Sequence, residues 1–285
     1  MPELTDLSVI RTLCEKYDFA LSKGFGQNFI INPGLPPKIV DASGVDKSWG
    51  VLEIGPGIGV LTKELAQRAA KVVSIEVDER LPPLLAETMA GVDNFKLVLQ
   101  DVLKVDLRAL IEEEFPGMPV AVCANLPYNI TSPVLEKLVE TPCFPSFTVM
   151  IQREVARRIC ARPGTGDYGA FSVFCQYHTD PELLFDVPPD CFIPAPKVTS
   201  SVLRMVPRPA PEEVDDPEHF FRVVRAAFAQ RRKTLVNGLY AAFGQQLTKE
   251  QLANIITHCG LPADVRGERL GIPEFAGISR KIRQT

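Results

Sequence analysis

Residues Val51–Thr62 have the sequence VLEIGPGIGVLT, and this stretch decides the fold predicted for the chain. The apolar run before Gly55 is typical of a buried parallel strand, and a helical pattern begins near Leu61. Glycines at positions 55, 57 and 59 allow a tight turn whose backbone N–H groups face a ligand at the start of the helix. The stretch therefore predicts a strand, a ligand-binding turn and a helix, which are the parts of an α/β sheet protein.

The spacing of these glycines separates two classes of ligand. Dinucleotide-binding turns follow the pattern G-x-G-x-x-G, whereas here the third glycine comes one residue early and position 60 is Val. The turn therefore favours a nucleoside cofactor over a pyrophosphate-bridged dinucleotide. Because a glycine turn alone is weak evidence, an ordinary strand-to-helix turn is the alternative interpretation.

Acidic residues follow the next two expected strands. Glu76 ends the run Lys71–Glu76, roughly 20 residues beyond Gly55, which is the spacing expected of a carboxylate that accepts both ribose hydroxyls. Asp101 follows the strand near 96–100, where its carboxylate is placed to accept from an adenine amino group. A carboxylate that only caps the next helix is the alternative for each residue taken singly.

The tetrapeptide Asn125–Tyr128, sequence NLPY, follows the apolar run Val120–Ala124. The Asn side chain and the carbonyl before Pro127 both accept hydrogen bonds from an exocyclic amine, and Tyr128 offers a ring face for stacking. The proline restricts the backbone, which holds these acceptors in place. A strand followed by an ordinary proline turn is the alternative. Combined with the acidic residues, the motif predicts S-adenosylmethionine on one side and an aromatic amine acceptor on the other.

The order of apolar segments predicts the fold class and the domains. Strands are expected near residues 51–55, 72–76, 96–100, 120–124, 147–151, 178–186 and 201–206, and helices near 6–17, 35–43 and 61–70. This order predicts an α/β protein with a doubly wound, seven-stranded, mostly parallel sheet whose last pair is antiparallel. A Pro- and acid-rich linker, 209–216, separates this domain (1–208) from a small helical domain (217–285).

With these motifs in place, the chain resembles the S-adenosylmethionine-dependent rRNA adenine N6,N6-dimethyltransferases that act on small-subunit (16S-type) rRNA. Five further motifs carry the resemblance: KGFGQNFI at 23–30, IQREVARRI at 151–159, FIPAPKV at 192–198, FAQRRKTL at 228–235 and RGERL at 266–270. They occur in the family's order along nearly the whole chain. The resemblance implies a Rossmann-like class I methyltransferase fold and an RNA-recognition role for the C-terminal helices.

The resemblance also implies a set of site residues. The residues expected to contact S-adenosylmethionine are Gln27, Asn28, Ile30, Gly55, Gly57, Glu76, Asp101 and Asn125. The residues expected to hold the target adenine are Asn125, Leu126, Pro127 and Tyr128, with Phe192 stacking on the opposite face of the base. Ordinary core packing is the alternative interpretation of Phe192. Leu126 stands where DNA amino-methyltransferases more often carry Pro, which favours the rRNA branch, and Ile30 stands where Leu is common.

The distribution of charge bears on an RNA partner, although the net charge of the chain is −4. Residues 1–150 hold 13 Lys and Arg against 20 Asp and Glu, whereas residues 151–285 hold 18 against 15. A local basic surface is compatible with an acidic total. The expected RNA contacts are Arg153, Arg157, Lys197, Arg231, Arg232 and Lys233; solvated helix faces are the alternative for the arginine clusters.

Composition limits the remaining possibilities. The sequence has no run of 18 apolar residues and no secretory signal pattern, so a cytoplasmic protein without a membrane span is expected. The seven cysteines are an odd number without a C-x-x-C pattern, and the three histidines are far apart, so reduced thiols and no metal are expected. Nothing in the sequence indicates an obligate interface, and a monomer is expected.

The expected activity is methyl transfer to N6 of two adjacent adenosines in a hairpin loop near the 3′ end of small-subunit rRNA, within a pre-30S-type subunit during ribosome assembly. One alternative is a large-subunit rRNA adenine dimethyltransferase of the resistance type. A second is a non-catalytic assembly factor that binds RNA or DNA on the same fold. Intact Glu76, Asp101 and NLPY favour catalysis over the second alternative.

Overall fold

The computed structural model describes residues 3–19, 27–230 and 232–285. Its strands, in chain order, are β1 (Phe29–Ile30), β2 (Gly50–Ile54), β3 (Lys71–Glu76), β4 (Phe95–Leu99), β5 (Val120–Asn125), β6 (Phe147–Gln152), β7 (Thr179–Val187), β8 (Phe192–Ile193) and β9 (Ser200–Pro207). No helix within the described ranges combines the length and apolar character that a membrane span needs.

Helices alternate with these strands and then continue alone. They are α1 (Leu7–Lys16), α2 (Leu35–Ser43), α3 (Val60–Arg68), α4 (Leu81–Thr88), α5 (Leu107–Glu114), α6 (Thr131–Glu140), α7 (Arg153–Cys160), α8 (Ala170–His178), α9 (Pro217–Phe228), α10 (Leu235–Phe243), α11 (Lys249–His258) and α12 (Ile272–Gln284). The Asp6 and Asp216 carboxylates cap α1 and α9, and prolines open α2, α4 and α12.

The seven-stranded sheet has the order β4-β3-β2-β5-β6-β9-β7. β2 pairs in parallel with β3 on one side and with β5 on the other, whereas β9 runs antiparallel to β6. The strand order therefore reverses between β2 and β5, which is where open α/β sheets bind ligands. The predicted fold class is confirmed, and each predicted strand lies within one residue of an observed one.

Two short strands were not predicted from the sequence. β1 and β8 form a separate two-stranded antiparallel sheet in which Phe29 pairs with Ile193 and Ile30 with Phe192. Strands of two residues are too short to produce an alternating pattern, and their partners are distant in the sequence. This small sheet fixes the segment around Asn28 close to the glycine turn.

The chain divides into two compact units. The first unit consists of Met1–Ala156 and Pro181–Pro207, and the second of Arg157–Asp180 and Arg208–Thr285. The second unit therefore includes the segment from Arg157 to Asp180, which lies within the sheet domain predicted from the sequence. The division of function between a cofactor-binding domain (1–208) and an RNA-recognition domain (217–285) stays a prediction.

Each unit has its own apolar core. In the first unit, core residues of α2 and α3 pack against β2, β3 and β5. In the second unit, α9 packs with α8, α10 and α12 around Phe220, Leu239, Phe243 and Phe275, all of which are almost completely buried. Fully burying side chains of this size stabilises each unit by roughly 1.5–3 kcal/mol per residue.

A buried carboxyl group supports the glycine turn from below. Glu53, in β2, is 1% exposed, and it accepts hydrogen bonds from the Thr62 hydroxyl on α3 (2.8 Å) and the Ser74 hydroxyl on β3 (2.5 Å). Burial raises the pKa of this carboxyl to about 7, although the two hydroxyls oppose the shift. Glu53 therefore connects the three elements that surround Gly55.

We predict that Glu53→Gln removes a pH-dependent part of the free energy of unfolding. The folded state raises the Glu53 pKa to about 7. Its contribution is therefore complete below the unfolded-state pKa of about 4.3 and is lost as the pH rises through the folded-state value. In urea unfolding, wild-type stability minus variant stability should fall with pH across this window, by at most about 1.4 kcal/mol per pH unit.

The glutamine variant is its own steric control, because the amide has nearly the same shape as the protonated carboxyl and never ionises. The Thr62 and Ser74 hydroxyls both donate and accept, so they remain satisfied beside an amide. A stability difference that does not change with pH would show that Glu53 ionises in the folded protein without cost.

Candidate functional site

A cavity of about 310 Å³ lies at the carboxyl ends of the parallel strands. Its walls come from the segment before β1 and from the residues that follow β2, β3, β4 and β5. The lining residues are Gln27, Asn28, Phe29, Gly55, Gly57, Glu76, Val77, Asp101, Leu103 and the continuous segment from Asn125 to Ile130. The cavity therefore lies where the strand order reverses.

The glycine turn forms one wall and requires its glycines. Gly55, Gly57 and Gly59 have φ angles of 72°, 56° and 91°, which side chains other than glycine rarely adopt. At Gly57 an added Cβ would also lie 3.1 Å from the Phe29 ring. Its N–H lies near the Glu76 carboxylate and helps to lower the pKa of that group. The turn after β2 and the end of β3 thus lie next to each other.

Glu76 is a buried carboxylate in the lining of the cavity. It is 7% exposed, and its Oε1 accepts from the backbone N–H groups of Val77 (2.8 Å) and Asp78 (2.9 Å). Burial raises the pKa of Glu76, while these N–H groups lower it. A buried carboxylate in fixed orientation is suited to accept hydrogen bonds from a pair of neighbouring hydroxyls, as predicted from the sequence.

Two exposed apolar side chains and a second carboxylate also line the cavity. Val77 is 46% exposed and Leu103 is 38% exposed, although both line the cavity. Between them in the sequence, Asp101 is partly exposed, and its Oδ1 accepts from the Leu103 N–H at 3.0 Å. Apolar walls that a flat ring would cover, with a carboxylate at the rim for an amino group, fit an adenine ring.

The NLPY motif forms the opposite side of the cavity. Asn125 ends β5, and its Nδ2 donates to the Asn28 backbone carbonyl at 3.4 Å. The Leu126 N–H donates to the Met150 carbonyl on β6, which extends the sheet pairing by one residue. Pro127 then ends the strand, and residues Tyr128–Ile130 form a short 3-10 helix before α6. The Asn125 amide is thereby oriented by the backbone of the β1 segment.

Tyr128 is positioned by a contact that the sequence does not show. Its hydroxyl shares a hydrogen bond with the Ser200 hydroxyl on β9, and Ser200 is fully buried. Burial raises the pKa of the Tyr128 hydroxyl, so the phenol stays neutral at physiological pH. The ring lines the cavity with its polar end held in the protein.

Asp78 is a further carboxylate beside the cavity, and it was not among the site residues predicted from the sequence. It fixes the segment before β1, which forms one wall of the cavity. Asp78 is 2% exposed and accepts from the Gln27 amide at 2.8 Å and from the Arg80 guanidinium at 2.6 Å. The Arg80 guanidinium, which lies beside this carboxyl, holds the pKa of Asp78 below its usual range. The only signal in the sequence was its position two residues after Glu76.

Ile30 and Phe192 are placed differently from the other predicted site residues. Ile30 lies in β1 and lines a small cavity of about 30 Å³ formed also by Asn28, Gly55 and Gly57. Phe192 lies in β8, is 3% exposed and belongs to the core of the first unit; it does not line the 310 Å³ cavity. A stacking role for Phe192 stays a prediction.

The predicted RNA-binding residues are spread over both units. In the first unit, Arg153 lies 3.6 Å from the Asp186 carboxylate, and Lys197 is exposed between β8 and β9. In the second unit, Arg157, Arg232 and Lys233 are exposed. Arg231 and positions 23–26 of the KGFGQNFI motif lie outside the described residues.

The arrangement supports transfer between two bound molecules. One half of the cavity offers a carboxylate for a diol, apolar walls for a ring and a glycine turn for close approach. The other half offers an oriented amide and an aromatic ring at the end of β5. These groups fit the adenosyl part of S-adenosylmethionine and an amine-bearing base beside it.

Comparison with known proteins identifies the family. The family model described as "Ribosomal RNA adenine dimethylase" matches residues 19–262. A "Ribosomal RNA small subunit methyltransferase A" from Streptococcus gordonii is 46% identical over 284 residues, with 98% of each chain covered. The protein of the same name from Streptococcus pneumoniae serotype 2 is 44% identical over 284 residues, again with 98% of each chain covered.

Solved structures show the same fold. A dimethyladenosine transferase from Plasmodium falciparum is similar with a TM-score of 0.71 and 25% identity, covering 88% of this chain and 95% of that one. The 23S rRNA methyltransferase ErmE is similar with a TM-score of 0.67 and 26% identity, covering 90% of this chain and 100% of that one.

These matches confirm the sequence-based predictions of a class I methyltransferase fold, of an rRNA adenine dimethyltransferase and of S-adenosylmethionine as its cofactor. Three observations support the same family assignment: the sequence motifs, the cavity at the ends of β2 to β5 and the similarity over the whole chain. The chain belongs to the ribosomal RNA adenine dimethylase family.

Proposed function

We propose that this chain methylates N6 of two adjacent adenosines in a hairpin loop near the 3′ end of small-subunit rRNA and converts both to dimethyladenosine. The observation that supports this most is the position of NLPY, which lies in the same cavity as Glu76, Asp101 and the glycine turn. The relatives that are 44–46% identical carry a small-subunit methyltransferase name. The structure named as a 23S rRNA methyltransferase is 26% identical, so large-subunit rRNA is not the favoured substrate.

The proposed cofactor contacts follow from the walls of the cavity. Glu76 would accept from the ribose hydroxyls, Asp101 would accept from the adenine amine, and Val77 and Leu103 would cover the adenine ring. The remaining proposed contacts are Gln27, Asn28, Ile30, Gly55, Gly57 and Asn125. When bound, S-adenosylmethionine supplies a methyl group on a positively charged sulfur.

The protein's own contribution to the reaction is positioning. The Asn125 Nδ2 donates to the Asn28 carbonyl, which leaves its Oδ1 to accept from N6–H of the target base. The Leu126 carbonyl is the proposed second acceptor. Two acceptors on the amine direct the nitrogen lone pair away from them and towards the methyl group. Asn125 does not ionise, so it does not act as a base, and the proton leaves after transfer.

Stacking is proposed to hold the target base outside its own helix. Tyr128 provides one ring, and its tie to Ser200 keeps that ring at the cavity wall. A base stacked on an aromatic side chain gains about 1–3 kcal/mol, which offsets part of the cost of unstacking it from the RNA. Phe192 is the proposed second ring. Because it is 3% exposed, its contact with a base requires a local rearrangement of β8.

The proposed setting is a pre-30S-type subunit in the cytoplasm, with the enzyme acting as a monomer. The proposed RNA contacts are Arg153, Arg157, Lys197, Arg231, Arg232 and Lys233. Arginine and lysine contacts to phosphate orient a protein on RNA without reading its sequence. We assign this role to the C-terminal domain (217–285) and to the basic residues at the edge of the cofactor-binding domain (1–208).

The proposed function is tested by transfer of a labelled methyl group from S-adenosylmethionine to undermethylated small subunits, to large subunits and to duplex DNA. We expect label in the small subunit alone, recovered as dimethyladenosine after digestion. Label in the large subunit would support the alternative substrate. Bound cofactor with no label on any acceptor would favour a non-catalytic assembly factor.

A pair of variants at Tyr128 tests the capture of the base. Tyr128→Ala removes the ring and should lower kcat/KM on small subunits by roughly 10- to 100-fold, as expected for a lost stack. Tyr128→Phe keeps the ring but loses the tie to Ser200, so its loss should be smaller. Both variants should bind S-adenosylmethionine within a few-fold of wild type by calorimetry. Full turnover by Tyr128→Ala would exclude the stacking role.

A further inference from the structure

An exposed aromatic side chain lies on α10 of the second unit. Tyr240 is 40% exposed, whereas every other aromatic side chain in the described ranges is buried or half-buried. The residues that precede and follow it on the inner face, Leu239 and Phe243, are in the core of the unit. The Tyr240 ring therefore faces solvent, whereas the opposite side of α10 packs in the core of the unit.

A lysine is held over this ring. The Lys249 Nζ, at the start of α11, lies 5.2 Å from the centroid of the Tyr240 ring and donates to the Asn237 Oδ1 at 3.0 Å. Asn237 in turn donates from its Nδ2 to the Thr234 hydroxyl at 2.9 Å. An ammonium group has three N–H donors, so two remain for a ligand. We call Asn237, Tyr240 and Lys249 the Tyr240 patch.

The chain on the N-terminal side of Lys249 is basic. The sequence contains no Asp or Glu between Glu218 and Glu250, and this stretch carries six Lys or Arg residues. Two of them, Arg232 and Lys233, are exposed immediately before α10 begins. Two residues already proposed to contact RNA therefore precede the helix that carries Tyr240.

We propose that the Tyr240 patch binds one unpaired nucleotide of the small-subunit rRNA, away from the nucleotide that is methylated. The base stacks on the exposed face of Tyr240, and the Lys249 ammonium contacts the adjoining phosphate. Asn237 is a positioning residue, because it holds Lys249 beside the ring. This proposal rests on the proposed function, since it takes small-subunit rRNA as the partner.

The chemistry of the patch favours RNA over a protein partner. An aromatic face beside a cation is the pairing with which proteins hold single-stranded nucleic acid, since the ring accepts any base and the cation a phosphate. The basic stretch between Glu218 and Glu250 attracts a polyanion. A protein partner buried against this face would instead require more exposed apolar side chains than Tyr240 alone.

The test measures binding of the full-length enzyme to undermethylated small subunits at several salt concentrations. The variants are Tyr240→Ala, Tyr240→Phe, Lys249→Gln and, as a matched control on α12 of the same unit, Lys281→Gln. We expect Tyr240→Ala to bind about ten-fold more weakly and Tyr240→Phe to bind like wild type. Lys249→Gln should reduce the slope of log affinity against log salt by about 1, whereas Lys281→Gln should leave it unchanged.

Further measurements separate this proposal from the proposed function. All variants should bind S-adenosylmethionine like wild type and unfold at the same temperature, because these side chains lie on the surface. In methylation assays the Tyr240→Ala loss should appear in KM and not in kcat. If wild type methylates small subunits but Tyr240→Ala and Lys249→Gln bind them as tightly, the patch is not an RNA site and the proposed function stands. If the wild-type enzyme binds small subunits no more tightly than it binds an unrelated protein, both proposals fail.

Discussion

The parallel pairing of β2 with β3 and with β5 is the constraint on which the site depends. Gly55, Glu76 and Asn125 are far apart in the sequence; Gly55 directly follows β2, whereas Glu76 ends β3 and Asn125 ends β5. The paired registers place the three strand ends at one edge of the sheet, since parallel strands end in the same direction. A shift by one residue in any of these strands would reverse every side chain on it and break up the cavity. The glycine turn, the proposed ribose acceptor Glu76 and the proposed base-holding amide of Asn125 thus depend on one register.

Hydrogen bonds around the turn maintain this register locally. Glu53 connects β2 to α3 and β3 through two hydroxyls, and the N–H groups of Val77 and Asp78 donate to the Glu76 carboxylate. Burial opposes ionisation of both carboxyl groups. Burying these carboxyl groups costs free energy of desolvation. Their hydrogen bonds with hydroxyls and backbone N–H groups offset much of that cost. The same contacts that hold the fold together also fix the shape of the cavity wall.

Structural features that depend on neighbouring residues in the chain were predicted best. The buried strands and the glycine turn have continuous patterns, so their positions were predicted to within a residue. The motifs also identified most of the residues that line the cavity. Contacts between distant positions were not predictable. The hydrogen bond between Tyr128 and Ser200, the pairing of β1 with β8 and the role of Asp78 all depend on how distant segments meet. Phe192 is buried in the core, which was the alternative interpretation of its motif; the motif says nothing about the side chains packed around it. The Tyr240 patch matches no sequence motif. It is distinguished by the exposed Tyr240 ring and by the basic stretch of chain in which that residue lies.

We propose that the ends of the parallel strands together bind S-adenosylmethionine, with Glu76 as the ribose acceptor. Calorimetric titration of the cofactor into Glu76→Gln tests this most directly, with Glu79→Gln as the control, because Glu79 is an exposed carboxylate three residues further along. Hydrogen bonds to a charged group contribute about 1.5–3 kcal/mol, so Glu76→Gln should weaken cofactor binding by roughly 10- to 100-fold, while Glu79→Gln leaves it unchanged. Equal affinities for wild type and Glu76→Gln would contradict the account and reduce Glu76 to a structural carboxylate.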